Sequence, residues 1–229
     1  MFDRMIEMSG SDEQEFIEWI KSKAESVKEA NIYESKSWLL TGTSIFPNNI
    51  SLKMVSYMTS KQDKNVALSS ITLTSMLNNP ENDSNVELQE EVNSLLKSML
   101  SDCTSPEDKI NSDIFKCIPK DMQANILKKA ALECQDVIMK CSLLLLLIKT
   151  NSFYAREYGL MLVEALFEAE IKDSPNNRNN VYRRYFANDA LPLLLSENSA
   201  ATEKKILLSW LDKAFQYYII IAFQSGKEG

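Results

Sequence analysis

The chain has 229 residues, a formal net charge of −7 and no histidine. Lack of imidazole removes Ser–His and Cys–His nucleophile pairs, histidine general bases and histidine zinc ligands, while carboxylate and lysine chemistry survive. The acidic balance argues against a surface devoted wholly to nucleic acid, and five glycines and six prolines leave little room for a β-rich fold or a phosphate-cradling loop.

Helical signals follow one another along the chain. Ser11-x-x-Gln14 reads as a capping box opening a helix to about Ala30, with Phe16, Ile17, Ile20, Ala24 and Val27 inward. A second helix is expected from about Tyr33 to Phe46, stopped by Pro47. A third covers Ser51–Ser60, and a fourth runs from about Asp63 to before Pro80. Asn78–Ser84 is the most loop-like stretch. Ser84-x-x-Glu87 reads as the cap of the next helix, which buries Val92, Leu95, Leu96 and Met99. Ser105-Pro106 marks an N-cap with proline at the first helical position; that helix ends before Pro119, and Lys120–Leu132 forms another.

Cys141–Glu170 is the most telling segment, two apolar helices joined by the short polar turn Thr150-Asn151-Ser152. The second carries one stripe at Tyr154, Tyr158, Met161, Ala165 and Ala169 and another at Leu160, Val163, Phe167 and Ile171. A helix apolar on two flanks packs against neighbours on both sides, as in stacked helical hairpins. Helices across Tyr182–Leu195 and from Thr202 onward follow, the last burying Leu207, Trp210, Leu211, Ala214, Tyr218 and Ile221. The pattern predicts about eleven helices, short connections and no strand.

The expected fold is all-α, a single α-solenoid segment over 1–229 with irregular tetratricopeptide-like repeats. Ser35, Leu39, Gly42 and Pro47 have the spacing of the second half of such a repeat, and Pro80 follows Pro47 by 33 residues against a period of ~34. At the next unit Leu68, Thr72 and Ser75 fit that pattern poorly.

Chemical motifs are sparse. Cys103, Cys117, Cys134 and Cys141 form no C-x-x-C pair and read as reduced thiols. Glu157, Glu164 and Glu168 read as a solvated stripe, and a di-metal site would also want histidine. Ser94-Leu95-Leu96-Lys97 matches S-x-x-K but lacks its companion motifs. No metal, cofactor or small-molecule substrate is expected. The N-terminus shows no apolar signal region, and the run Leu143–Ile148 is far shorter than the ~20 residues of a membrane span. The chain therefore reads as soluble, intracellular and without membrane contact. One segment, Asn176–Phe186, interleaves Arg178, Arg183 and Arg184 with Tyr182 and Tyr185. With Lys204 and Lys205 it offers guanidinium groups for phosphates and rings for unpaired bases. Alternatively its tyrosines pack inward and its arginines pair with carboxylates.

Several strings in order resemble the family of Integrator complex subunit ten, in its N-terminal helical region: Ser37-Trp38-Leu39-Leu40-Thr41, Ser44-Ile45-Phe46-Pro47, Leu143–Leu147, Val163–Glu170, Tyr185–Leu194, Leu211-Asp212-Lys213-Ala214 and Tyr217-Tyr218-Ile219. The resemblance covers about residues 34–223 and fades between Asn78 and Asp102. It implies a nuclear, non-catalytic scaffold in an assembly that processes small nuclear RNA 3′ ends and terminates RNA polymerase II transcription. It further implies a peripheral module with subunits thirteen, fourteen and fifteen, associated with RNA or DNA binding. Family members are longer, so the chain is expected to be the N-terminal part of a longer solenoid. Tyr182, Arg183, Arg184 and the flank of Ile219, Ile220 and Phe223 are the expected partner contacts; Arg178, Arg183, Arg184, Tyr185, Lys204 and Lys205 are the expected contacts if the partner is nucleic acid.

Overall fold

The computed structural model describes residues 10–100, 105–151, 153–172, 180–198 and 204–225, with the side chains of residues 11, 156, 196–198 and 220–225 excepted. These residues fall into two compact units, Met1–Pro119 and Lys120–Gly229. Every regular element among them is helical.

The first unit contains α1 (Gly10–Lys28), α2 (Ile32–Ile45), α3 (Ile50–Gln62), α4 (Val66–Leu77), a 3-10 turn (Pro80–Asn82), α5 (Val86–Leu100) and α6 (Pro106–Cys117). Helix α1 packs on α2, α3 on α4 and α5 on α6, with α2–α3 and α4–α6 contacts joining the hairpins. Asparagine starts most of these helices. The side-chain oxygens of Asn31, Asn49, Asn65 and Asn85 accept from the backbone N–H of Glu34, Leu52, Leu68 and Leu88 at 2.9–3.2 Å, each satisfying a donor the first turn leaves orphaned.

Two expected capping boxes are therefore corrected. Asn85 replaces Ser84, because its carboxamide already occupies the Leu88 N–H. Ser11 lies inside α1, and Gln14 donates to Glu18 at 3.3 Å instead of reaching back. The expected Ser105 N-cap is present, and Asp108 completes a capping box with it that the sequence reading did not anticipate. Helix α4 begins three residues later than expected because Lys64 takes a left-handed φ of 58°, which ends α3 and leaves Asn65 to open the next helix.

The repeat is clearer in burial than in residue identity. Ser35, Leu39 and Gly42 are buried on α2; Ser69, Leu73 and Met76, each 34 residues on, are buried on α4. Met54 and Tyr57 on α3 are followed at the same interval by Leu88 and Glu91 on α5, all buried. The register anchored on the prolines was one residue short, and Leu68 is accordingly 41% exposed.

The second unit contains α7 (Lys120–Glu133), α8 (Val137–Thr150), α9 (Tyr154–Lys172), α10 (Val181–Arg184), a π-helical segment (Tyr185–Ala190), α11 (Leu191–Asn198) and α12 (Lys204–Ser225). Helices α10 to α11 run on without interruption, so the described residues form eleven helices when this rod counts as one. Helix α9 packs on α8 and on the α10–α11 rod, and α12 lies against the rod. The two-flanked packing of α9 is present, but its buried positions are Ala155, Tyr158, Leu162, Val163, Ala165, Leu166 and Ala169. Leu160 and Ile171, expected inside, are exposed.

A methyl group built on Gly42 meets Ile20 Cγ2 at 3.0 Å and Leu52 Cδ2 at 3.3 Å, so this glycine sets how closely α2 approaches α1 and α3. Gly42→Ala gains about 1 kcal/mol of helix propensity and loses a similar amount in crowding. Urea midpoints should therefore place Gly42→Ala within ~1 kcal/mol of the parent, and Gly42→Leu at least ~2 kcal/mol below it.

Candidate interaction surface

Glu170 lies in the last turn of α9 and is followed, across a connection, by Asn180 at the N-cap of α10. Asn180 bridges the two. Its oxygen accepts from the Tyr182 and Arg183 backbone N–H groups at 3.1 and 3.4 Å, and its amide nitrogen donates to the Glu170 carbonyl at 3.1 Å. That brace sets Arg183 opposite Glu170. The guanidinium donates through Nε and Nη2 to Glu170 Oε1, both at 2.9 Å.

Tyr217 of α12 donates to Glu170 Oε2 at 3.2 Å, and its ring lies 5.7 Å from the Arg183 guanidinium. Phe186 meets Tyr217 edge-on at 5.9 Å and Phe167 at 5.0 Å. Burial, the Glu170 charge and the Glu170 hydrogen bond push the Tyr217 phenol well above its ordinary value, against a smaller opposing effect of Arg183. Two charges held this deep are stable only because each is paired and hydrogen-bonded.

This network decides which side chains remain outside. Tyr182 and Arg183 are each only 6% exposed. Both side chains lie within the packing of the rod, as in the inward alternative of the sequence reading. Arg184 and Tyr185, the next two residues, are exposed. Asn188 shares their face of the rod and accepts from the Tyr218 hydroxyl at 2.9 Å, which joins that face to α12.

Helix α12 buries Trp210, Ala214 and Tyr217. Leu211 and Tyr218, expected to be buried, are exposed; Leu207 is half-buried, and the Ile221 side chain lies outside the described residues. The exposed stripe comprises Leu208 (66%), Leu211 (43%), Phe215 (64%), Tyr218 (51%) and Ile219 (38%), centred roughly 125° around the helix from the buried face. Lys204 and Lys205 are exposed at its start. Arg178 and the side chains of Ile220 and Phe223 lie outside the described residues.

The first unit has a matching buried cluster that sequence reasoning missed. Glu91 of α5 accepts from the Tyr57 hydroxyl at 2.5 Å and the Lys61 ammonium at 2.7 Å, both on α3. Burial, followed by the Glu91 charge and hydrogen bond, raises the Tyr57 phenol. The available signal was the interval of 34 between Tyr57 and Glu91, a polar residue occupying a buried repeat position.

Among the described residues there is no metal-binding group of cysteines and carboxylates and no helix long and apolar enough to cross a membrane. Burial pushes the Cys141 thiol up to about 12, the opposite of an activated nucleophile.

A family model for Integrator subunit 10 matches residues 8–227. The chain belongs to the Integrator subunit 10 family. It is 23% identical over 203 residues to Integrator complex subunit 10 of Mus musculus and of Homo sapiens, covering 88% of this chain and 28% of each relative. The Gallus gallus protein of the same name matches over the same shares. The chain thus spans just over a quarter of the length of these curated relatives. The family match and the stacked helical hairpins agree with the all-α fold and the family resemblance read from the sequence.

The buried pair yields a stability prediction. Glu170→Leu removes the two hydrogen bonds that Arg183 donates to the carboxylate and the one that Tyr217 donates, and should cost about 3 kcal/mol. Glu170→Leu combined with Arg183→Leu should recover most of that loss in a double-mutant cycle of thermal melts. The phenols yield a pH prediction. Both tyrosines hold their protons more tightly folded than unfolded, so their contribution is intact below the unfolded value of ~10 and is lost as pH rises above it. Urea midpoints should fall from pH 10 upward, less steeply in Tyr57→Phe/Tyr217→Phe.

Proposed function

We propose that this chain is a non-catalytic scaffold segment of the Integrator complex in the nucleus. It holds other subunits through helical surfaces within a peripheral module that includes subunits thirteen, fourteen and fifteen. The assembly it serves processes small nuclear RNA 3′ ends and terminates RNA polymerase II transcription. The observation that carries this reading is the surface joined by the Tyr218–Asn188 bond, where Arg184, Tyr185 and the apolar stripe of α12 stand outward over the Arg183–Glu170–Tyr217 network. Exposed tyrosine and arginine beside apolar side chains are the composition of interface anchors.

Protein contact is favoured over nucleic acid because Arg183, the central cation of the basic segment, is committed to Glu170. Within the scaffold reading, Arg184, Tyr185, Ile219, Ile220 and Phe223 are the proposed contacts, and Tyr182 and Arg183 hold them in place. The low reactivity expected of Cys141 and the lack of histidine favour the same reading.

The test is reconstitution. The purified chain, mixed with each of subunits thirteen, fourteen and fifteen, should give a stoichiometric complex by size-exclusion chromatography with light scattering. A folded helical chain that joins none of them, and is not recovered with the assembled Integrator complex, would exclude the scaffold role.

A further inference from the structure

The exposed stripe of α12 has a spacing that defines its occupant. Leu208, Leu211, Phe215 and Tyr218 stand three, four and three residues apart, the a and d positions of a heptad. Sustained over three turns, that ridge fits the groove of a second helix crossing at about 20°. An extended peptide would instead read every second residue of a strand or a set of separate pockets. The helix already has its own packing face in Trp210, Ala214 and Tyr217, so the heptad ridge is surplus to this unit's core.

The rim adds charge. Lys204 and Lys205 are exposed at the start of the ridge, and Arg184 is exposed on the face that Asn188 shares with Tyr218. On the ridge itself the only carboxylate among the described residues is Asp212. The nearby Asp189 is paired with Lys149 at 3.6 Å. A partner supplying carboxylates at the Lys204 end satisfies this rim.

A second copy of this chain does not. A parallel pairing sets Lys204 against Lys204, and an antiparallel one sets it against Tyr217–Ser225, which contains no acidic residue. Exposed arginine and tyrosine around an apolar centre are residue types enriched in intermolecular interfaces relative to the rest of a protein surface.

We propose that the Leu208–Leu211–Phe215–Tyr218 ridge docks an amphipathic helix of another polypeptide, with apolar residues at heptad spacing and carboxylates flanking the end that faces Lys204 and Lys205. This deepens the scaffold role and rests on it.

The test is photo-crosslinking within the assembled Integrator complex, with p-benzoylphenylalanine in place of Phe215. Mass spectrometry should find the adduct in a helical segment of another subunit that has apolar residues three and four apart and acidic neighbours. With the crosslinker kept at 215, Leu208→Glu/Leu211→Glu should weaken capture at least tenfold while leaving the melting temperature unchanged, since both side chains are exposed. Leu208→Met should retain capture. Assembly without an adduct at position 215 overturns the docking ridge while leaving the scaffold role standing. An adduct on this chain or its copy, or on a segment lacking the heptad or the carboxylates, does the same. Failure of the chain to assemble at all overturns both.

Discussion

Each unit is organised around one carboxylate, Glu91 buried and Glu170 mostly so, that needs a cation and a tyrosine. Stacked apolar helices have little to fix their register, because leucine against leucine packs almost as well one turn along. Glu91 reaches from α5 to Tyr57 and Lys61 on α3, joining equivalent helices of adjacent hairpins. Glu170 reaches from α9 to Arg183 on α10 and Tyr217 on α12, joining three elements. A slip by one residue in either place leaves a charge unpaired in a low-dielectric interior, a far larger penalty than a slipped methyl group. Each carboxylate therefore selects one arrangement from many apolar near-equivalents, whatever its net contribution to stability.

The surface is a consequence of that selection. Because Arg183 turns to Glu170, Arg184 turns to solvent; because Tyr217 turns to Glu170, Tyr218 turns outward to Asn188. The π-helical segment completes the arrangement. Pro192 has no N–H to return to the Asn188 carbonyl, and its ring would crowd that carbonyl in a regular α-helix. The rod widens ahead of it instead, with the Leu191 N–H bonded to the Phe186 carbonyl. The widened turn carries Phe186 inward onto Tyr217 and Asn188 outward onto Tyr218.

Much of the fold was legible because it rests on local signals. Proline punctuation, the Ser105 cap and the leucine-rich hairpin fixed the order of helices, since each acts through the residue's own backbone chemistry. Asparagine caps were less visible, because asparagine is also an ordinary loop residue and only the N–H it accepts from distinguishes the roles. The repeat was misread by one position because prolines in a connecting turn drift more easily than buried positions such as Leu39 and Leu73. On α12, several apolar faces overlap in Leu207–Ile221, and periodicity alone cannot say which of Tyr217 and Tyr218 is inside. That choice depends on Glu170, 47 residues away. The inward alternative for the arginine-rich segment was available from sequence, but selecting it required the same long-range partner.

Bracing one member of each adjacent pair also affects binding at the other. A tyrosine or arginine that must be ordered on association loses rotamer freedom worth roughly 0.5–1.5 kcal/mol. Tyr218 is already held to Asn188, and Arg184 and Tyr185 sit on a helical turn whose preceding residue is anchored by two hydrogen bonds to a carboxylate. Much of the ordering cost has thus been met in folding. A modest apolar ridge on an acidic chain can then support specific association without a deep pocket, because its geometry is set beforehand by charges that never reach the surface.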